Sequence, residues 1–335
     1  MTSAQITPGD VFTRPELKEI FGGSLQGGII PSRTTDNILI FTDHESAKLY
    51  GYQDGWLTEE DETGPVFEYT GEGSYSDQTL KGKNGSLLRH VEDGRALHLF
   101  VAVGYVEGTG TKTHRYVGEF TVDENDPFIE RQALDSDQNM RWVYVFRLRP
   151  VADIEQAPED FVPPADETVI TQVPATPMTD PAYALRTPAE ATTSKPTTPE
   201  KNSGKKITRK PTGPVEVKRI EAELSDRFLV FLHEQGHEVT RFDIRIKGLS
   251  SILFTDLYDA TDNVLYEIKS KSDRGAVRAA IAQLIDYRRH IPPKDARLGV
   301  LLPGCPHEDL RDLVDSAGMA LVYENGDKFT GWPLA

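Results

Sequence analysis

Two acids and a lysine in the segment TDLYDATDNVLYEIK, residues 255–269, carry the clearest chemistry in this chain: Asp256, Glu267 and Lys269. Residues 264–268, Val-Leu-Tyr-Glu-Ile, are β-branched or aromatic with almost no polar interruption, the pattern of a buried strand. Side chains alternate along a strand, so Glu267 and Lys269 share a face. A preceding strand over Ile252–Tyr258, joined through the turn-forming pair Asp262–Asn263, sets Asp256 beside Glu267 in a hairpin. Two carboxylates and a main-chain carbonyl, here that of Ile268, can hold a hard divalent cation, and a neighbouring ammonium can orient water and balance phosphate charge. That is equipment for hydrolysing a phosphodiester. The same spacing also suits a plain salt-bridged hairpin, so the neighbouring elements matter.

Upstream, Val217, Ile220, Leu224, Phe228, Phe231 and Leu232 form a helical stripe closed by Gly236. Glu221 falls within that stripe, whereas Glu223 lies opposite. A carboxylate on the core side needs a cation or a hydrogen-bonding partner. Downstream, AVRAAIAQLIDYRRHI predicts a second amphipathic helix with Val277, Ala280, Ile281, Leu284 and Ile285 inward, and with Arg278, Gln283 and Tyr287 at defined positions on it. A strand (ARLGVLLP), a helix (HEDLRDLVDSAG) and a last strand (MALVYE) follow.

This order of helix, strands, helix, strand, helix, strand over roughly Val215 to Lys328 resembles the PD-(D/E)xK nuclease superfamily, although the proline of the family's name is missing beside Asp256. The resemblance implies a restriction-endonuclease-like mixed sheet flanked by helices. It implies Mg2+, with Mn2+ as a substitute, held by Asp256, Glu267 and the Ile268 carbonyl, with Glu221 supporting the ion directly or through water. Lys269 would then position the attacking water, Gln283 would orient Lys269 or contact the backbone, and Arg278 would contact phosphate.

The 335 residues suffice for two ordinary domains. A hydrophobic content of 38% is that of a globular protein. No window approaches the roughly 20 apolar residues of a membrane span, and the N-terminal residues lack a basic and apolar signal pattern. A single cysteine, Cys305, excludes an intrachain disulfide and a cysteine zinc cluster and fits a reducing cytoplasm. His90, His98 and His114 are scattered without metal spacing, and His233 and His237 lack the HExxH order of a zinc site. The net charge of -16 argues against coating DNA nonspecifically, though not against a local basic face. Residues 213–335 carry 16 basic and 20 acidic side chains, so most of the excess acid lies in the N-terminal half, which counts against that half as a DNA reader.

Composition divides the chain into an N-terminal domain over residues 1–150, a disordered Pro/Thr/Ala-rich linker over 151–214 and a C-terminal domain over 215–335. Within the linker, Lys205–Lys210 reads either as a phosphate contact or as a solvated charge cluster. The N-terminal strand candidates are NILIFTD, VFEYTG, ALHLFVAVGYVEG, HRYVGEFTV and RWVYVFRLRP, short strands between turn clusters that suggest a barrel or sandwich. The phrases PGDVFTRPELKEIFGG, LYGYQDGW, YTGEGSYSDQ and HRYVGEF, taken in order, resemble the SRA (YDG) domains of modification-dependent restriction enzymes. Val117 departs from the Asp of that name.

This second resemblance implies a PUA-like β-barrel that turns a modified cytosine out of duplex DNA. By position, Tyr52 and Tyr69 would stack on the base, Asp54 would accept from its exocyclic amine and Thr70 would line the pocket. Loops carrying Lys81, Lys83 and Asn84 would approach the DNA. The plainer alternative makes both tyrosines core aromatics and Asp54 a turn cap. Together the halves lead to the expectation of a two-domain α+β / α/β protein, a cytoplasmic Mg2+-dependent endonuclease acting on double-stranded DNA with a modified base. It would be a homodimer at least on DNA and have no membrane partner. A modified-DNA reader with an inactive nuclease-like scaffold, or a structure-specific DNA-repair nuclease, are the alternatives.

Overall fold

In the computed structural model, residues 6–175 and 214–334 are described, apart from 62 and 125. The N-terminal part builds a nine-stranded sheet from β1 (Val11–Thr13), β2 (Ile29–Pro31), β3 (Asn37–Thr42), β4 (Gly55–Trp56), β5 (Phe67–Thr70), β6 (Ala96–Tyr105), β7 (Lys112–Val122), β8 (Phe128–Leu134) and β9 (Met140–Ile154). The strand order is β2-β3-β6-β7-β9-β5-β4, with β1 on β7 and β8 on β9. Only β3 and β6 run parallel among these pairs. Three short helices accompany the sheet: α1 (Arg14–Phe21), α2 (His44–Lys48) and α3 (Gly82–Leu88). At the start of α1, Thr13 and Glu16 form a capping box with Pro15 just inside, and Asp43 caps α2. The core gathers Ile29, Ile38, Trp56, Phe67, Phe120 and Phe146, all essentially without solvent contact.

The C-terminal part is a second, mixed sheet of β10 (Val169–Pro174), β11 (Val239–Arg245), β12 (Ile252–Phe254), β13 (Leu257–Asp259), β14 (Val264–Ile268), β15 (Arg297–Leu302), β16 (Ala320–Asn325) and β17 (Lys328–Thr330). β14, β15 and β16 are parallel neighbours, and the remaining pairs are antiparallel. Their crossovers are α5 (Arg274–Arg288) and α6 (Glu308–Ser316), while α4 (Pro214–Glu234) precedes β11. The two sheet faces bury separate cores. Leu224, Phe228 and Leu232 of α4 pack with Val264, Tyr266 and Ile268 of β14. Val277, Ala280 and Leu284 of α5 pack with Leu265 of the same strand. Strand alternation therefore directs Glu267 and Lys269 to the α5 side.

Two expectations need correction. The chain from residue 151 to 175 is not linker: β9 continues to Ile154, Asp160 is fully buried against Arg115, and β10 forms the edge of the second sheet, paired along β11. Val162 and Val173 are buried and Phe161 packs on the N-terminal core, but these apolar residues are too sparse to show a period, so composition concealed the attachment. Residues 176–213 of the expected linker, Lys205–Lys210 among them, lie outside the described residues. Ile285, expected inward, is 53% exposed, because the buried face of α5 runs through Val277, Ala280, Leu284 and Tyr287. Among the described residues no helix is long and apolar enough to cross a membrane.

Candidate functional site

The hairpin β13–β14 pairs Leu257 with Tyr266, which sets Asp256 and Glu267 next in register. The expected first strand is interrupted at Thr255–Asp256, where the chain passes from β12 to β13. Asp256 Oδ2 accepts the main-chain N–H of Ile268 at 2.6 Å. Lys269 Nζ donates to Glu267 Oε1 at 2.6 Å, and Glu221 Oε1 accepts the N–H of Ser270 at 3.0 Å. On α5, Gln283 donates to the Tyr287 hydroxyl at 3.3 Å. Glu221, Asp256, Glu267, Lys269, Gln283 and Tyr287 line one cavity of about 710 Å3. Arg278, in contrast, is exposed on α5 and is not among the cavity's lining residues.

Three carboxyl groups around one ammonium set the electrostatics. Burial raises the Glu267 carboxyl well above its ordinary range, and the neighbouring Asp256 adds to the effect. Burial also raises Asp256 and Glu221. For Lys269 burial acts downward, but Glu267 and Asp256 outweigh it and raise the ammonium. Glu267 is 2% exposed, and its Oε2 has no hydrogen-bond partner among the described residues.

The opposite wall of this cavity comes from the N-terminal half, which sequence reasoning did not anticipate. Phe128, Glu130, Trp142 and Tyr144 line it there. Arg241 of β11 lies 4.2 Å over the Trp142 ring and donates to the Glu130 carbonyl at 3.1 Å. The signal available was the strand TRFDIR, whose charged residues alternate with apolar ones on a strand that turns out to be largely enclosed.

In the N-terminal sheet, Thr70 N–H and Thr42 Oγ1 donate to the two oxygens of Asp54 at 2.8 and 2.9 Å. Burial raises the Asp54 carboxyl. Tyr69 is 3% exposed within the main core, and burial raises its hydroxyl well above the ordinary value. Tyr52 packs instead against the smaller cluster of Ala133, Val143 and Val145, with Arg141 donating to its hydroxyl and the Tyr50 ring 5.4 Å away. The structure thus joins Asp54, Thr70 and Tyr69, while no close ring contact links Tyr52 to Tyr69 among the described residues. Beside Thr42 opens a cavity of about 470 Å3 lined by Arg14, Gly27, Asp43, Lys112 and His114, none of them assigned to a site from sequence.

Lys81 is exposed at the start of α3, and Lys83 pairs with Glu72 at 2.8 Å. Asn84 does not project toward solvent: it is 4% exposed, and its amide bonds the main chain of Glu72 and Thr79. An Asn ahead of an apolar helix reads as a surface donor in sequence, but here it ties down the loop before it. At the far end of the β13–β14 hairpin, His237, Asp259 and Asp262 place one ligand atom each within 4.8 Å of one another. Asp259 already accepts from His237, Thr261 and Asp262, bonds that close the turn.

Residues 8–168 match the family model described as the ScoMcrA-like SRA domain. No curated protein matches the chain. Among solved structures, the sulfur-binding and SRA domains of ScoMcrA complexed with phosphorothioated DNA are 23% identical, with 46% of this chain and 44% of that chain covered and a TM-score of 0.33. The DNA modification-dependent restriction endonuclease AspBHI is 16% identical over 46% of this chain and 80% of that one, with a TM-score of 0.31. The MspJI restriction endonuclease with a 27-mer oligonucleotide is 11% identical over 95% of this chain and 77% of that one, with a TM-score of 0.26. The chain thus spans less than half of either ScoMcrA structure it matches.

Proposed function

We propose that this protein is a modification-dependent DNA endonuclease, with a base-sensing N-terminal domain, where residues 8–168 match the ScoMcrA-like SRA domain model, and a hydrolytic C-terminal domain of the PD-(D/E)xK class. The observation that carries the hydrolytic half is Glu267 Oε2, a buried acceptor without a partner beside Asp256 and the Lys269 ammonium. An unpaired buried acceptor costs on the order of 1–3 kcal/mol, more when charged. A hard divalent cation suits this set of oxygen donors. Asp256, Glu267 and the Ile268 carbonyl would hold Mg2+, with Glu221 behind them, and bound there the ion would polarise a phosphoryl oxygen and lower the pKa of water.

The remaining chemistry belongs to the chain. Asp256, fixed by the Ile268 N–H, keeps its second oxygen for the cavity. Lys269, held by Glu267, presents an ammonium that orients water and balances the charge developing on phosphate. Gln283 and Tyr287 close the α5 side of the cavity. One centre cuts one strand, so double-strand scission would require two copies.

In the N-terminal half the proposal sets a flipped, modified cytosine between Tyr52 and Tyr69, read by Asp54 and Thr70. A test without cleavage is fluorescence anisotropy of matched duplexes with the Lys269→Ala protein in EDTA. Preference for a modified-cytosine duplex, lost in Tyr52→Ala, supports the reading, and equal binding of all duplexes contradicts it.

A further inference from the structure

We propose that the described arrangement is a closed, self-inhibited state: the N-terminal domain covers the catalytic carboxylates and must move away before duplex DNA can reach them. The proposal rests on the nuclease reading above. Glu221, Asp256, Glu267 and Lys269 face the strands β8 and β9 across a cavity of about 710 Å3. That volume is the size of a small-ligand site. A duplex must bring a groove and its phosphates against the same carboxylates, and a major groove alone is about 12 Å wide.

The contacts that hold the cover are polar and reversible. Lys218 of α4 donates to the Phe128 carbonyl and pairs with Asp126 at 2.5 Å, and Arg241 stacks on Trp142. A second patch joins Thr58 N to Ser250 Oγ at 2.8 Å, Ser250 Oγ to Glu59 at 2.7 Å, and Arg245 to Gln53 at 3.1 Å. Among the described residues no apolar core cluster contains buried residues of both halves, so separating them exposes little core. The acids and carbonyls of the N-terminal domain occupy Lys218 and Arg241 much as phosphates would. This gives the acidic excess of that half a use, and it lets DNA compete for the same cations.

The cover is also wired to the base pocket. Gln78 donates to the Gly71 carbonyl, next to Thr70, at 2.6 Å and accepts from Tyr144 N at 3.0 Å, while Asp77 accepts from Trp142 N at 2.8 Å. A base entering beside Thr70 therefore pushes on the loop that holds the strand under Arg241.

The test is a reversible lock, with Cys305→Ser removing the native thiol and Thr58→Cys with Ser250→Cys placing two thiols across the second patch. We expect a crosslink to form under oxidation without DNA. The crosslinked protein should lose nearly all cutting of modified plasmid, and reduction should restore it. Failure to crosslink, or equal cutting by locked and reduced protein, would overturn the proposal. Cutting in neither state, and none by the unaltered chain, would remove the nuclease reading on which it rests. A second variant, Asp126→Ala, loses the half-exposed partner of Lys218 and should raise cutting of unmodified plasmid several-fold. No rise would contradict the latch.

Discussion

Glu267 of β14 and Lys269, one residue past the strand's end, lie with the ammonium 2.6 Å from Oε1, while Oε2 of the same carboxylate is buried without a hydrogen-bond partner among the described residues. One oxygen is neutralised, and the other, beside Asp256, is open to a cation.

Lys269→Ala should therefore lower cleavage by roughly 10²–10³-fold, the range for removing one positioned charge-stabilising group. Binding of modified duplex should be unchanged, because the ammonium points into the catalytic cavity. Single-turnover cleavage beside anisotropy separates the two effects, and equal losses in both would argue for a purely structural lysine.

Mg2+ should stabilise the folded protein thermally. Saturation to 100 times the dissociation constant is worth about 2.7 kcal/mol. Glu267→Gln keeps the shape, removes the charge and should abolish most of this shift. A variant that responds to Mg2+ like the parent would place the ion elsewhere, with the His237, Asp259 and Asp262 group as the next position to substitute.

Within the N-terminal sheet, Glu68 is 1% exposed and accepts from Arg131 at 2.7 Å, with Arg147 3.8 Å away. Glu68→Ala strands a buried arginine and should destabilise the domain by about 3–5 kcal/mol. Urea unfolding followed at the buried Trp56 reads this directly, and a loss under about 1 kcal/mol would show that water reaches the site.

His98 makes the same sheet sensitive to acid. Its ring bonds the Tyr116 hydroxyl and Asn37 Oδ1, both at 3.0 Å, and burial lowers it from 6.5 to about 4. Because the folded value is depressed, the folded state binds fewer protons. The stabilisation is present above about pH 6.5 and is lost as pH falls toward 4, amounting to about 3 kcal/mol. The melting temperature should fall over that window in the parent and fall less in His98→Gln. Parallel curves would assign the acid sensitivity to other groups.

Much of the geometry of the proposed centre was legible because it is local. Asp256, Glu267 and Lys269 sit on one hairpin whose period and turn are written in adjacent residues, and Glu221 lies one helical turn from the core residue Leu224. The partners across the cavity were not legible. β8 reads FIERQAL, polar enough to pass for loop, because Arg131 is spent on the buried Glu68 and Glu130 faces the other domain. β10 joins its sheet along its main chain and through Ile170 and Val173, too few apolar side chains to mark a strand. Asn84 and Ile285 mislead in opposite ways: a polar side chain can be buried when the backbone uses it, and an apolar one can face water when the helix has a narrow core stripe.

The most direct measurement is Mg2+-dependent cleavage of matched plasmids bearing cytosine, 5-methylcytosine, 5-hydroxymethylcytosine or glucosylated 5-hydroxymethylcytosine, with Asp256→Ala alongside. Cutting confined to one or more modified plasmids and absent in Asp256→Ala is the predicted result. Equal cutting of all four plasmids would contradict base sensing, and cutting that survives Asp256→Ala would contradict the assigned centre.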